Sequence, residues 1–422
     1  MKKRVLFISA GIFPIPANRG GAVEELIDTF TENNALEGRF DVSVASCAFE
    51  GKEIKKKTPG VRYHYFKTPF YISLADRLYY LYVDKIKKDW RSLFRQHYHQ
   101  SRHYIGSIVK RLELDSYDVI VVENNMSLLQ KLSEALGESF SRKCMYHMHS
   151  SLIDNEAMIP YIARCRKVLA VSDFVKNYLY ETVPSFRDTE IEKVTNGIKL
   201  RECPDEKRQS IRSVMRERYG VREDETVYLF AGRVSPEKGV YEMARAFVSA
   251  LPDLKHKSRL FVVGSAVSGS NKENYYYRQI RQIADRYPES IALTGYIEHA
   301  SVTDYHIMSD VQIVPSIMDD PAPLTVLEGM SMGTFLLLSR VGGIPEYAGK
   351  YGKKIFFERD ERLVENIRTA ILQYDEAYAP HRYPGDVCLF GEELYYRELA
   401  EAIDVPQEIQ IHRSKAGAIQ VL

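Results

Sequence analysis

Two cations five residues apart, Arg233 and Lys238, sit in the segment Phe230-Ala-Gly-Arg-Val-Ser-Pro-Glu-Lys-Gly239. It reads as a strand end, a glycine that frees the backbone, and a loop entering a helix. Such a loop suits a diphosphate, because two positive charges and a helix N-terminus converge on one anion. The competing reading is a solvated loop with incidental charges, and the segment alone weighs the two evenly. Two carboxylates, Asp320 and Glu328, are eight apart in Val314-Pro-Ser-Ile-Met-Asp-Asp-Pro-Ala-Pro-Leu-Thr-Val-Leu-Glu-Gly-Met-Ser-Met-Gly333, across a proline-containing loop that opens a helix. A carboxylate beside that helix start can accept from sugar hydroxyls, while free backbone N–H groups reach a diphosphate or sugar. The alternative for Asp319 or Asp320 is N-capping of the same helix, which ligand binding does not exclude.

The elements that position these groups follow from the apolar pattern. Strand-like runs at Arg4–Ser9, Asp41–Ser46, Val61–Phe66, Val119–Val122, Lys143–His147 and Lys167–Val171 alternate with amphipathic segments of helical length. After a Pro- and charge-rich stretch near Cys203–Gln209 the alternation restarts at Val227–Ala231, Arg259–Gly264, Ile291–Gly295, Val311–Val314 and Thr334–Ser339. This pattern predicts an α/β protein of two doubly wound domains in tandem, 1–203 and 204–385, with a helical run from Phe390 to Ile403 in the segment 386–422. The tail from Pro406 carries little signal.

Composition agrees with an ordinary globular chain: 422 residues, Lys+Arg 58 against Asp+Glu 57, and 45% hydrophobic residues. Disordered and fibrous classes are excluded. The five cysteines, Cys47, Cys144, Cys165, Cys203 and Cys388, are scattered with no C-x-x-C pair, which argues against a disulfide framework or a structural zinc site and fits a reducing cytosol. No apolar run reaches the roughly 18 residues of a spanning helix. The basic, apolar start imitates a signal peptide but lacks a small-residue cleavage pattern, so Val5–Ile8 is expected to be a buried first strand.

The motifs together, in this order and spacing, resemble retaining glycosyltransferases of family 4, which have the GT-B fold of two Rossmann-like domains facing across a cleft. The resemblance covers nearly the whole chain. It rests on G-R-x-x-x-x-K-G, the Asp320/Glu328 acidic pair with Leu-Glu-Gly-Met, and Gly342-Gly-Ile-Pro-Glu346. In the first half it rests on Gly20-Gly21-Ala-Val-Glu24, Tyr146-His-Met-His-Ser150 and Val194-Thr-Asn-Gly-Ile198. Two departures stand out: Asp320 replaces the usual Glu, and Ala322-Pro323 replaces the usual Phe-Gly, with Pro323 removing one N–H from the loop.

The resemblance implies a nucleotide-diphosphate sugar, UDP- rather than GDP-linked, held mostly by the second domain and an acceptor held by the first. Arg233 and Lys238 would neutralise the diphosphate. Glu328 would accept from ribose hydroxyls, Asp320 would hold the sugar, and Leu324 and Thr325 would line the donor. Gly20 and Gly21 would let the first-domain loop approach the phosphates, and His149 would stand near the anomeric centre. His147 is the alternative, since positions two apart on a strand share a face. Retention would come from attack on the face the phosphate leaves, with no protein nucleophile, no metal and no cofactor. The transferred group would be a hexose or N-acetylhexosamine, and the acceptor a glycan or lipid-linked molecule of bacterial envelope, capsule or exopolysaccharide assembly.

Two further readings are a UDP-sugar 2-epimerase, which needs no acceptor, and a non-catalytic coat or scaffold protein on the same fold. From Lys52 to Arg111, fifteen Lys/Arg stand against four Asp/Glu. The stretch is dense in aromatics, with Leu74, Leu78, Leu81, Ile86 and Phe94 near helical spacing. The residues predict either a helix whose stripe packs on the sheet or a peripheral contact with an anionic membrane on its cytoplasmic face. A nucleic-acid partner is not expected from a neutral chain without a binding signature.

Overall fold

The computed structural model describes residues 1–17, 21–48, 57–82, 98–150, 156–182, 184–186, 189–200, 203–266, 271, 273–377 and 390–404. Two wholly parallel sheets organise it. The first holds β1 Arg4–Ile8, β2 Asp41–Ala48, β3 Arg62–Lys67, β4 Val119–Glu123, β5 Cys144–Met148, β6 Lys167–Ala170 and β7 Ile191–Lys193, in the order β3-β2-β1-β4-β5-β6-β7. The second holds β8 Thr226–Ala231, β9 Ser258–Val263, β10 Ile291–Gly295, β11 Val311–Val314, β12 Phe335–Ser339 and β13 Lys354–Phe357, in the order β10-β9-β8-β11-β12-β13.

Helices cover both faces of each sheet, so central strands such as β4 are buried along their whole length and read as unbroken apolar runs. The two-residue period still decides which helix each side chain meets. Leu6 and Ile8 of β1 pack with Ile105, Ile108, Leu128 and Leu132, whereas Val5 and Phe7 pack with Ile27 and Phe30. In β8, Tyr228 and Phe230 enter one cluster and Val227 and Leu229 another.

The helix Glu392–Asp404 completes the first sheet's covering layer. Tyr395, Leu399 and Ile403 join the cluster of Phe7 and Phe30, Lys3 Nζ donates to the Ile403 carbonyl at 3.0 Å, and Arg39 Nε donates to Asp404 at 2.7 Å.

Two strands escape the sequence pattern, β7 and β13. Each is an edge strand of three or four residues, too short to show a period. The Pro- and charge-rich Cys203–Gln209 stretch contains a helix start: Asp205–Arg218 is helical and Met215 packs beneath the second sheet. The helix Phe70–Tyr82 leaves Leu74, Leu78 and Leu81 42, 60 and 40% exposed, outside the buried clusters of the first domain. Ile86, Phe94 and the Lys/Arg between them lie outside the described residues, as does Gly20. Among the described residues no helix is long and apolar enough to cross a membrane.

Strand order reverses between β1 and β4 in one sheet and between β8 and β11 in the other. Crevices at the carboxyl ends of strands at such reversals are where open parallel sheets bind ligands.

Candidate active site

The second-domain half of the site is built at the ends of β8 and β11. A Cβ on Gly264 would stand 1.8 Å from the Gly232 carbonyl, and one on Gly239, where φ is +67°, would stand 2.0 Å from the Pro315 carbonyl. Only glycine allows these loops to interlock. Ile317 N–H donates to the Glu237 carbonyl at 2.9 Å, tying the β11 loop to the β8 loop. The result brings Lys238 against Asp320, where the two form an ion pair. Arg233 meets Glu237 at 2.8 Å. Asp319 pairs with Arg359 at 3.4 Å.

The helix Leu324–Ser331 begins after Pro323 without a side-chain cap, so the N-capping alternative for Asp319 and Asp320 is not what the chain adopts. Gly343 N–H instead holds the Asp320 carbonyl at 2.9 Å. The Thr325 hydroxyl donates to the Ala231 carbonyl at 3.1 Å and receives the Gln312 amide at 2.7 Å. That hydroxyl therefore fixes the helix to the end of β8, leaving backbone N–H as what Thr325 can offer a donor. Leu324 lines the cavity described below.

Glu328 is half-buried and its carboxylate is taken by two histidines, His299 Nε2 at 3.0 Å and His306 Nε2 at 3.6 Å. Burial raises its pKa, but the hydrogen bond from His299 and the nearby His306 ring outweigh burial and hold the group well below the usual carboxylate range.

The first-domain half stands at the ends of β1, β4 and β5. Gly21 has φ +128°, and a Cβ there would meet Glu24 Oε2 at 2.3 Å. The bare α-carbon thus gives the Glu24 carboxyl its seat, where burial pushes its pKa up to about 8. His147 is fully enclosed on β5, while His149, one residue past the strand, keeps a partly accessible ring. Both bond one carboxylate, Glu123 of β4: Oε2 lies 3.1 Å from His147 Nδ1 and 3.0 Å from His149 Nε2. Burial raises the pKa of Glu123, yet the two histidines bring it down to about 2. Burial and the neighbouring His147 bring His149 down to about 4.

The halves meet through polar contacts and a cavity of about 540 Å³. His299 Nδ1 lies 3.1 Å from Glu25 on the first-domain helix Ala22–Glu37. Glu346 accepts the Asp173 and Phe174 N–H groups at 3.0 and 3.2 Å and Lys193 at 3.2 Å, so the Gly-Gly-x-x-Glu motif caps a first-domain helix. The Tyr347 hydroxyl receives Asn196 N–H at 2.9 Å and donates to the Val171 carbonyl at 2.5 Å. Glu25, Asp28, Glu32, His299, His306 and Glu328 are among the polar residues that line the cavity.

Among the described residues, Glu123, His147 and His149 form a group of side chains near enough to share a metal ion, their ligand atoms lying within 4.8 Å. Their separations of 3.0 to 3.3 Å are those of hydrogen bonds. Sequence reasoning missed Glu123, Glu25, His299 and His306. Only Glu123 left a trace, as a charge ending the otherwise apolar run Val119–Val122.

Comparison with known proteins places these features. The profile of the family described as Glycosyl transferases group 1 matches residues 212–382. The lipopolysaccharide 1,2-N-acetylglucosaminetransferase of Salmonella typhimurium is 25% identical over 358 residues, covering 82% of this chain and 83% of that protein. The sucrose-phosphate synthase of Thermosynechococcus elongatus superposes with a TM-score of 0.62 at 16% identity, covering 99% of this chain and 98% of that one. Anabaena HepE in complex with UDP and glucose gives 0.62 at 16% identity, covering 96% and 100%. Residues 212–382 thus match the family of glycosyl transferases group 1, and the chain has a GT-B fold of two facing α/β domains.

Proposed function

We propose that the protein is a retaining glycosyltransferase that moves a hexose or N-acetylhexosamine from a nucleotide-diphosphate sugar, UDP-linked in preference to GDP-linked, to a glycan or lipid-linked acceptor. The observation that carries this is the pairing of Lys238 with Asp320 at the β8/β11 switch point. A diphosphate that takes Lys238 frees Asp320, a carboxylate that then accepts from the adjoining sugar's hydroxyls. One binding event thus exchanges an internal ion pair for two ligand contacts. Arg233, on the same loop, adds the second positive charge as the glycosidic bond breaks and the phosphate leaves.

Glu328 is the acceptor for ribose hydroxyls, Gly21 and Gly20 the close approach of the first domain, and His149 the group nearest the anomeric carbon. The acceptor is deprotonated with the help of the departing phosphate, and the two cations do the work a metal would do. The Salmonella relative acts in lipopolysaccharide synthesis by its name, which supports a bacterial envelope glycan as the product.

A panel of UDP-, GDP- and ADP-sugars scored by thermal shift, followed by anomeric analysis of the product, tests the reading, since a ligand that binds only the folded chain raises its stability. Sugar transfer with retention from a UDP-sugar, undiminished by EDTA, is expected. Conversion of UDP-GlcNAc without acceptor marks an epimerase instead. No shift with any nucleotide marks a non-catalytic scaffold.

A further inference from the structure

Glu123 belongs to none of the motifs above, yet it organises the first-domain side of the cleft. It closes β4 and pairs in register with His147 on β5. The next residue, Asn124, turns the chain with φ +44°. Its side-chain oxygen receives His149 N–H at 3.1 Å and the Ser150 hydroxyl at 3.0 Å. The end of β4 therefore holds His149 twice, by its backbone through Asn124 and by its ring through Glu123.

One carboxylate oxygen, Oε2, lies within 3.1 Å of a nitrogen on each histidine, and the two rings are 4.1 Å apart. An ionised carboxylate only accepts, so both nitrogens must carry hydrogens: Nδ1 on His147 and Nε2 on His149. Two imidazolium rings this close would leave a net positive charge in a site where the Glu123 side chain is 1% exposed and His149 8%, which burial opposes. Burial and the His147 ring hold the pKa of His149 down to about 4, so near pH 7 the ring is neutral and has one lone pair left, on Nδ1. Among the described residues that nitrogen meets no hydrogen-bond donor, and unlike His147 Nε2 it is not sealed from the cleft.

We propose that Glu123 is a positioning residue that locks His149 as the neutral Nε2–H tautomer, turning a hydrogen-bond-accepting Nδ1 toward the bound sugar. The proposal rests on the glycosyltransferase reading for its consequence, but the tautomer can be examined without turnover. His149 then accepts from a sugar hydroxyl and does not donate to the leaving oxygen. His147, buried behind it, shares the carboxylate and keeps the His149 ring from rotating.

The experiment pairs spectroscopy with kinetics. Long-range ¹H–¹⁵N correlation of the histidine rings in the full chain near pH 7, with His149 assigned from His149→Gln, should show hydrogen on Nε2. Hydrogen on Nδ1 overturns the proposal whatever the activity. Glu123→Gln should lower kcat about a hundredfold, in the range of lost acid–base or orienting groups, with KM for the nucleotide-sugar changed less than about threefold. Glu123→Asp should recover part of the loss. Adding Glu123→Gln to His149→Ala should cost nothing further, because both changes remove one function; losses that multiply would reduce Glu123 to a structural residue. If the wild-type chain transfers no sugar from any nucleotide donor, the function reading fails while the tautomer result still stands or falls by itself.

Discussion

His299 Nε2 lies 3.0 Å from the Glu328 carboxylate, and the other nitrogen of the same ring lies 3.1 Å from Glu25 across the domain boundary. The carboxylate assigned to ribose is therefore occupied by the protein's own side chain before a donor arrives, and that side chain also ties the domains together. A ribose that takes Glu328 must displace His299 and loosen its grip on Glu25.

Competition of this kind has a measurable sign. His299→Ala should tighten binding of UDP by up to about fivefold, because a half-exposed charge pair is worth at most about 1 kcal/mol. Glu328→Gln should weaken UDP binding by about tenfold, since an amide replaces an ionised acceptor. Isothermal titration with UDP and then with a UDP-sugar distinguishes Asp320→Asn, which should lose affinity only for the sugar nucleotide. Weaker UDP binding by His299→Ala would make that ring a ligand of the nucleotide and not its competitor.

The second prediction concerns Lys238 and Arg233. Replacing either by Ala should raise the transition-state barrier by about 2–4 kcal/mol, a fall in kcat/KM of roughly thirtyfold to a thousandfold. Lys238→Ala also leaves Asp320, whose side chain is 13% exposed, without its partner, so this variant should melt earlier than Arg233→Ala. Asp320→Asn combined with Lys238→Ala should regain that stability and none of the activity. Wild-type turnover in either single variant would remove the diphosphate assignment.

A third prediction follows from Glu24. Folded, it keeps its proton up to about pH 8, whereas an exposed glutamate loses it near 4.5. Between those values the folded chain binds more protons than the unfolded one, so stability falls as pH rises, by on the order of 3–5 kcal/mol across the window. Glu123 and His149, both lowered, act oppositely and below about pH 7, losing stability as pH falls. Urea unfolding between pH 7 and 8.5 isolates Glu24: the wild type should lose about 1–2 kcal/mol that Glu24→Gln retains. Parallel curves for the two proteins would place an ionised carboxylate at this position.

The helix Phe70–Tyr82 carries the fourth. Phe70, Tyr71, Leu74 and Leu78 stand exposed on it, within the stretch where Lys/Arg outnumber Asp/Glu fifteen to four. We propose that this surface rests on an anionic membrane, where each Lys or Arg contributes roughly 1 kcal/mol and the apolar side chains add insertion. Co-sedimentation with phosphatidylglycerol vesicles should exceed that with phosphatidylcholine and fall with added salt. Leu74→Ser with Leu78→Ser should halve it, as should Lys85, Lys87 and Lys88 changed together to Glu. Equal recovery in the supernatant with both vesicles at low salt would favour an acceptor that is not membrane-bound.

What the amino-acid sequence determined by itself is whatever its local periods and loop chemistry report. The unbroken runs at Val119–Val122 and Val227–Ala231 required a sheet covered on both faces. Gly232, Gly239 and the cations between and beside them required a loop at a strand end, close to a helix start. Only the tertiary structure decided which groups meet. His147 and His149 share a face on any strand, and they differ only because β5 ends at Met148, which depends on pairing with β6. Glu123 reaches them through parallel strand register, a relation between segments 24 residues apart that no local pattern encodes. The meeting of Lys238 with Asp320 requires the β8 and β11 loops to interlock at Gly239 and Pro315. The contact of Glu25 with His299 joins residues from different domains and depends on how two separately packed cores are set against each other.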